Sequence, residues 1–157
     1  MGGKFKFSHS AWGLVAVLLC EGLVVQLWPV GAAAWLVLLG AALGSLVALY
    51  VATEVIERVR NTPRMLLFLS AVVVEFIIFY AFEYWFLGIV SPASFPTLGG
   101  DMVSLLLHST MVFVFNPLYL PATFVGRALL LINTLSALGL VLFVLQNIWQ
   151  IRRAHVA

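Results

Sequence analysis

The sequence predicts an all-α integral membrane protein with four transmembrane helices and a shorter apolar segment that re-enters the membrane between the third and fourth. Three observations predict it. First, 64% of the 157 residues are hydrophobic and only 9% are charged, with a mean hydropathy of +1.14. Soluble domains average about 45–50% apolar and about 25% charged residues, so this chain has too little polar surface to cover a water-soluble ball. Second, the apolar residues gather into four runs that each reach the about 20 residues needed to cross a hydrocarbon core about 30 Å thick. Third, the basic residues partition between the ends of those runs as an even number of crossings requires.

The first run extends from roughly Ala11 to Val30 and ends at Trp28-Pro29-Val30-Gly31. Lys4 and Lys6 give it the basic start of a signal peptide. No small-residue cleavage site precedes a soluble domain, however, and Glu21 interrupts the apolar stretch, so a retained helix is expected. The second run, roughly Ala32 to Ile56, meets Glu57, Arg58 and Arg60. The third covers about Met65 to Val90, and the fourth about Thr123 to Ile151. The chain is expected to fold as one compact unit in two parts, a transmembrane hairpin over 1–60 and a second module over 61–157.

Of eight Lys and Arg residues, Lys4, Lys6, Arg58, Arg60, Arg64, Arg152 and Arg153 fall on one side of this arrangement and Arg127 alone on the other. The positive-inside rule then places both termini and the Arg58–Arg64 connection on the cytoplasmic side of a cytoplasmic-type membrane. Composition excludes several other classes. Eight basic residues are too few to track phosphates, so no nucleic-acid partner is expected. One cysteine, Cys20, supports neither a disulfide framework nor a cysteine metal site. No metalloprotease, nucleotide-binding or haem-ligating pattern is present, so neither an enzyme nor a cofactor is expected. With tails of about ten residues or fewer, no appended soluble domain is expected.

The connection from Ser91 to Ala122 is unusual. It holds four prolines (Pro92, Pro96, Pro117, Pro121) and one acid, Asp101, yet is otherwise mostly apolar. Within it lies an apolar run of about 14 residues, too short to cross and of the length of a re-entrant or interfacial helix. Gly99-Gly100-Asp101 offers a start, with the acid placed where a helix N-terminus favours negative charge.

The residues after that start read Thr110-Met111-Val112-Phe113-Val114-Phe115-Asn116, then Pro117-Leu118-Tyr119-Leu120, then Pro121-Ala122-Thr123-Phe124-Val125-Gly126-Arg127. This stretch resembles the tetrameric pore-loop potassium channels. In that family a pore helix leads into Thr-Thr-Val-Gly-Tyr-Gly-Asp, and a Pro-x-Thr-x-x-Gly-Arg segment opens the inner helix. The resemblance covers about 50 residues, from Asp101 through the fourth run. It implies an outer helix over 64–90, a pore helix over about 100–114 and an inner helix over about 123–151, in a homotetramer. It also implies that Thr110, Met111, Val112, Phe113, Val114, Phe115 and Asn116 form a filter, largely through backbone carbonyls. Asp101, His108, Ser109 and Arg127 would belong to the pore helix and mouth, and Asn133 and Thr134 to the cavity lined by the inner helix.

The sequence departs from the family where the filter glycines stand, because Phe113 and Phe115 occupy those places and Asn116 replaces the acid. Filter glycines adopt backbone dihedrals that bulky L-residues avoid. An aromatic held at positive φ costs on the order of 1–3 kcal/mol. The expected function is passive conduction of monovalent cations, K⁺ or Na⁺, through a tetrameric pore with a differently built filter; the alternative is a non-conducting accessory or scaffold subunit on the same module. A weaker third is a proton-coupled transporter.

Membrane-embedded acids are functional candidates by default. Glu21 and Glu75 are both expected near mid-membrane, as a proton or cation relay or as protonated acids hydrogen-bonded to each other or to Ser, Thr or Asn across helices. Glu83, beside Tyr84 and Trp85, is expected near a span end where solvation is easy. His108 either tunes the pore with pH or hydrogen-bonds behind the filter. Asn133 and Thr134 either line a cavity or bond across helices. Gly40-Ala41-Ala42-Leu43-Gly44, with Ala33 and Ala48, forms a small-residue face for close helix packing. Trp12, Trp28, Trp35, Trp85 and Trp149, with Tyr84 and Tyr119, read as interfacial aromatics.

Overall fold

In a computed structural model of the chain, the described residues are 8–27, 30–59 and 61–156. They form five α-helices and no strand: α1 (Ser8–Leu27), α2 (Val30–Arg58), α3 (Thr62–Val90), α4 (Met102–Phe113) and α5 (Phe124–Val156), with a 3-10 turn at Pro92–Ser94. Three stretches are long and apolar enough to cross a membrane, Ala32–Arg58, Thr62–Val90 and Phe124–Asn147. The apolar parts of α1 and α4, Trp12–Leu23 and Met102–Phe113, are shorter. The described residues are thus helical without strands, and three of their helices suit a membrane-embedded protein.

Local chemistry sets the helix ends. Asn61 caps α3 by accepting the Arg64 amide at 3.2 Å, and Pro63 stands in the first turn, where its missing N–H is no loss. That helix stops at Val90, because the residue before Pro92 is pushed out of helical backbone. Lys4, Lys6, Arg60 and the Trp28-Pro29 part of the first turn lie outside the described residues.

The bundle is organised around α2, which packs against α1, α3 and α5; α4 lies on α3 and touches α5. The small-residue face explains the closeness of this packing. At Gly44 the ring of Phe79 from α3 occupies the space a side chain would need, and at Gly40 the carboxyl of Glu21 from α1 does the same. Ala33, Ala41 and Ala48 are buried on that helix too. One apolar core runs from Leu14 through Leu140 and draws on described residues of both the N-terminal hairpin and the second module.

Trp35 near the start of α2 lies 6.3 Å from Phe124 at the start of α5, ring centre to ring centre. These two helices therefore begin at the same end of the bundle, and α3 runs back antiparallel to α2. Trp12, Trp35, Trp85 and Trp149 face outward, as interfacial aromatics do. Tyr84 does not; it is only 1% exposed and belongs to the core.

Candidate functional site

The short helix α4 begins at Asp101, whose side chain accepts the Ser104 amide at 2.9 Å. Hydrogen bonds from Ser104, side chain and backbone, hold this exposed carboxyl below the usual carboxylate range. One face of the helix is buried by Leu105, His108, Ser109 and Val112. The Ser109 hydroxyl donates to the Ile77 carbonyl of α3 at 2.8 Å, which pins the two helices together.

The far end of α4 differs from the expected filter. Thr110, Met111, Val112 and Phe113 are helical, and Phe115 is the one described non-glycine residue at positive φ, 62°. The Phe115 amide donates to the Val112 carbonyl at 2.9 Å, and the Asn116 amide donates to the Met111 carbonyl at 2.8 Å. This pair of bonds is a Schellman closure with Phe115 in the left-handed position that glycine usually fills. The Val114 amide takes the Thr110 carbonyl at 3.2 Å. Helix propagation wins over an extended strand although Thr, Val and Phe are only middling helix formers, and these carbonyls are engaged within the chain. Phe113 turns onto α3 and meets Phe76 edge-on, with ring centres 5.9 Å apart. Val114, Phe115 and Asn116 are exposed. The Thr110 hydroxyl donates back to the Leu106 carbonyl at 2.8 Å.

The return from Asn116 to α5 is tied at its neck. The Ala122 amide donates to the Ser94 carbonyl at 2.8 Å, and the Ser94 and Thr123 hydroxyls lie 2.7 Å apart. Thr123 also accepts the Gly126 amide at 3.2 Å. A side chain at Gly126 would press on the Ser94 carbonyl, at 3.0 Å, so glycine permits the clasp. The Pro-x-Thr-x-x-Gly-Arg residues are thus the docking site of the 3-10 turn. Arg127, the last of them, is exposed and makes no salt bridge with Asp101 or Glu83.

Two polar layers cross the core of the bundle. In one, the Ser45 and Tyr80 hydroxyls lie 2.6 Å apart and both reach the Ala41 carbonyl, at 2.8 and 3.2 Å. In the other, Glu21 of α1 meets Glu83 of α3, side chain to side chain. Glu83 is fully buried, at 0% exposure, and Glu21 is 7% exposed. This corrects two expectations. The partner of Glu21 is Glu83 and not Glu75, which stands two helical turns earlier on α3 and is half-buried with interactions of its own. Glu83 is also not solvated. It shares the face of Phe76, Tyr80 and Leu87, and that spacing turns it inward whatever its distance from the helix end.

His108 is fully buried, enclosed by the rings of Tyr84, Tyr119 and Phe95 at centroid distances of 4.6, 5.4 and 5.6 Å. Both its ring nitrogens lack a hydrogen-bond partner among the described residues. Asn133 bonds across helices, donating to the Tyr84 hydroxyl at 3.2 Å. Thr134 donates to the Leu130 carbonyl of its own helix at 2.8 Å. Among the described residues no group of three or more His, Cys, Asp or Glu is placed to hold a metal.

Comparison with protein-family models, with curated proteins and with solved structures returns no match to this chain. Sequence reasoning misplaced Glu83 and missed Tyr80 and Ser45. The signal for the first two was the apolar spacing on α3, where positions 76, 80, 83 and 87 fall on one face.

Proposed function

We propose that the chain is a four-span membrane protein on a channel-like scaffold, with both termini cytoplasmic, that acts as a non-conducting accessory or scaffold subunit. In this reading α1 is the first crossing, and α3, α4 and α5 are the outer, re-entrant and inner helices of a homotetramer. The observation that carries it is the closed end of α4. A carbonyl filter needs oxygens free to replace the hydration shell of an ion. The Thr110, Met111 and Val112 carbonyls instead accept the Val114, Asn116 and Phe115 amides. Leu131, Leu135, Leu142 and Leu145 of α5 face outward, an apolar stripe that suits lipid as well as the neighbouring subunits of the proposed tetramer.

Reconstitution into liposomes tests this directly. No flux of K⁺ or Na⁺ is expected from purified protein, and steady flux of either ion overturns the assignment. A dimer or trimer mass in detergent would remove the fourfold scaffold.

Passive conduction of monovalent cations is the second reading. It draws on the C-terminal end of α4, whose negative partial charge favours a cation, beside the exposed Asn116 side chain. Under that reading Asn116→Ala alters the K⁺ to Na⁺ flux ratio.

A further inference from the structure

The Glu21–Glu83 contact is chemically incomplete. All four carboxyl oxygens lie buried without a hydrogen-bond donor. A carboxylate only accepts, so two ionised carboxylates in contact offer each other repulsion and nothing else. Every neighbouring element leaves the deficit standing. On α2 the carboxyl of Glu21 rests against the backbone at Gly40, which has no side chain to donate. The Ser45 hydroxyl of the same helix is engaged with Ala41 and Tyr80. On α3 the flanking titratable groups are Tyr80, whose hydroxyl is engaged with Ser45 and Ala41, and Tyr84, whose hydroxyl accepts from Asn133. Ser136 of α5 faces Tyr80 and carries no charge. Cys20, next to Glu21 on α1, is exposed. No Lys, Arg or His is among these neighbours.

The site also has an approach. A cleft of about 340 Å³ between α1 and α2 is lined by Ala16, Val17, Cys20, Glu21, Leu39 and Gly40 among others. Glu21 is its one acidic lining residue, and the rest of its wall is small or apolar. The missing component is therefore a positive species small enough to fit between two carboxyl groups in contact, bridging α1 and α3, and reachable from the α1–α2 cleft.

We infer that Glu21 and Glu83 form a proton-binding site, a carboxyl pair that holds one proton between its oxygens. The proton completes a strong hydrogen bond across α1 and α3 and leaves the pair with one delocalised negative charge. Neither Glu75 nor α4 takes part, so the site is independent of whether the re-entrant segment conducts ions.

A hydrophobic carbodiimide tests it, because such reagents partition into the bilayer and react only with protonated carboxylic acids. Protein in liposomes is treated with dicyclohexylcarbodiimide across a pH series, digested and mapped by mass spectrometry. The expected result is an N-acylurea adduct on Glu21, the residue that lines the cleft, with labelling that falls as pH rises. Glu21→Gln should remove the adduct. Glu83→Gln gives Glu21 an amide donor in place of a shared proton, so the fall in labelling moves to lower pH. Absence of an adduct at every pH overturns the inference, as does a pH profile that Glu83→Gln leaves unmoved, which would mean two independent acids. Protection of Glu21 by Na⁺ or Li⁺ at constant pH would overturn the choice of ligand and make the site one for a metal cation. Size-exclusion profiles of both variants keep a folding failure from being read as loss of the site.

Discussion

The two polar layers in the core are neighbours on α3 and are built on opposite principles. Around Tyr80, each hydroxyl has a partner, and the layer joins α2 to α3 as a closed set of hydrogen bonds. One turn further on, Glu83 and Glu21 bring two acceptors together with no donor. Buried polar groups are normally satisfied, and an exception calls for an explanation. The difference separates a layer that fastens helices from one that awaits a ligand.

The largest expected effect bears on the packing beneath both layers. Gly44→Ala places a methyl where the Phe79 ring now lies and forces α3 away from α2, at an expected cost of about 1–3 kcal/mol in unfolding free energy. Denaturant titration in mixed micelles reads it, and an unchanged midpoint would show that the ring can withdraw. Next comes the contrast between the layers themselves. Tyr80→Phe removes a completed hydrogen bond and should cost about 1 kcal/mol. Glu83→Gln supplies a donor to Glu21 and should stay within about 1 kcal/mol of the parent. Equal losses from the two substitutions would erase the distinction.

The same contrast holds between the ends of α4. Its first turn is capped without strain by Asp101, whereas its last is closed by Phe115 in a left-handed conformation. Phe115→Gly relieves that conformation and should stabilise the protein by about 1 kcal/mol, with no flux gained. Flux appearing in this variant would revive the pore reading. The smallest effect is at Asp101. Its carboxyl lies below the ordinary range when folded, so the capping contribution is complete above the unfolded-state pKa. It is lost as pH falls through the lower, folded value. Protection factors of the first-turn amides of α4, with the intrinsic pH dependence of exchange divided out, should fall at acid pH in the parent and stay flat in Asp101→Ala.

Much of the fold was legible because its signals are local. Apolar run lengths gave the long helices, and Gly99-Gly100-Asp101 offered the start of α4, whereas the cap of α3 at Asn61 and Pro63 went unread although its signal is local. The small residues of α2 announced close packing but not the partners, since which ring or carboxyl fills the space at Gly44 or Gly40 depends on residues far away in sequence. The end of α4 is hard to read from sequence for a related reason. The succession Thr110–Asn116 reads like a filter when aligned by spacing, but its Met, Val and Phe residues continue a helix as readily as they extend, and only the closure at Phe115 decides between the two. Depth misled at Glu83, because distance from a helix end says nothing about which face a residue occupies.

The clasp at Ser94 and Thr123 changes what the covalent chain between them is for. Ser94 lies before the Gly99-Gly100 pair and Thr123 after it, and the bonds joining them run through space. A chain interrupted at that glycine pair therefore keeps the contacts that register α3 against α5. Two separately translated pieces, 1–99 and 100–157, should reassemble in a membrane into the parent bundle. The peptide link there serves delivery of the second piece, and the clasp serves its seating.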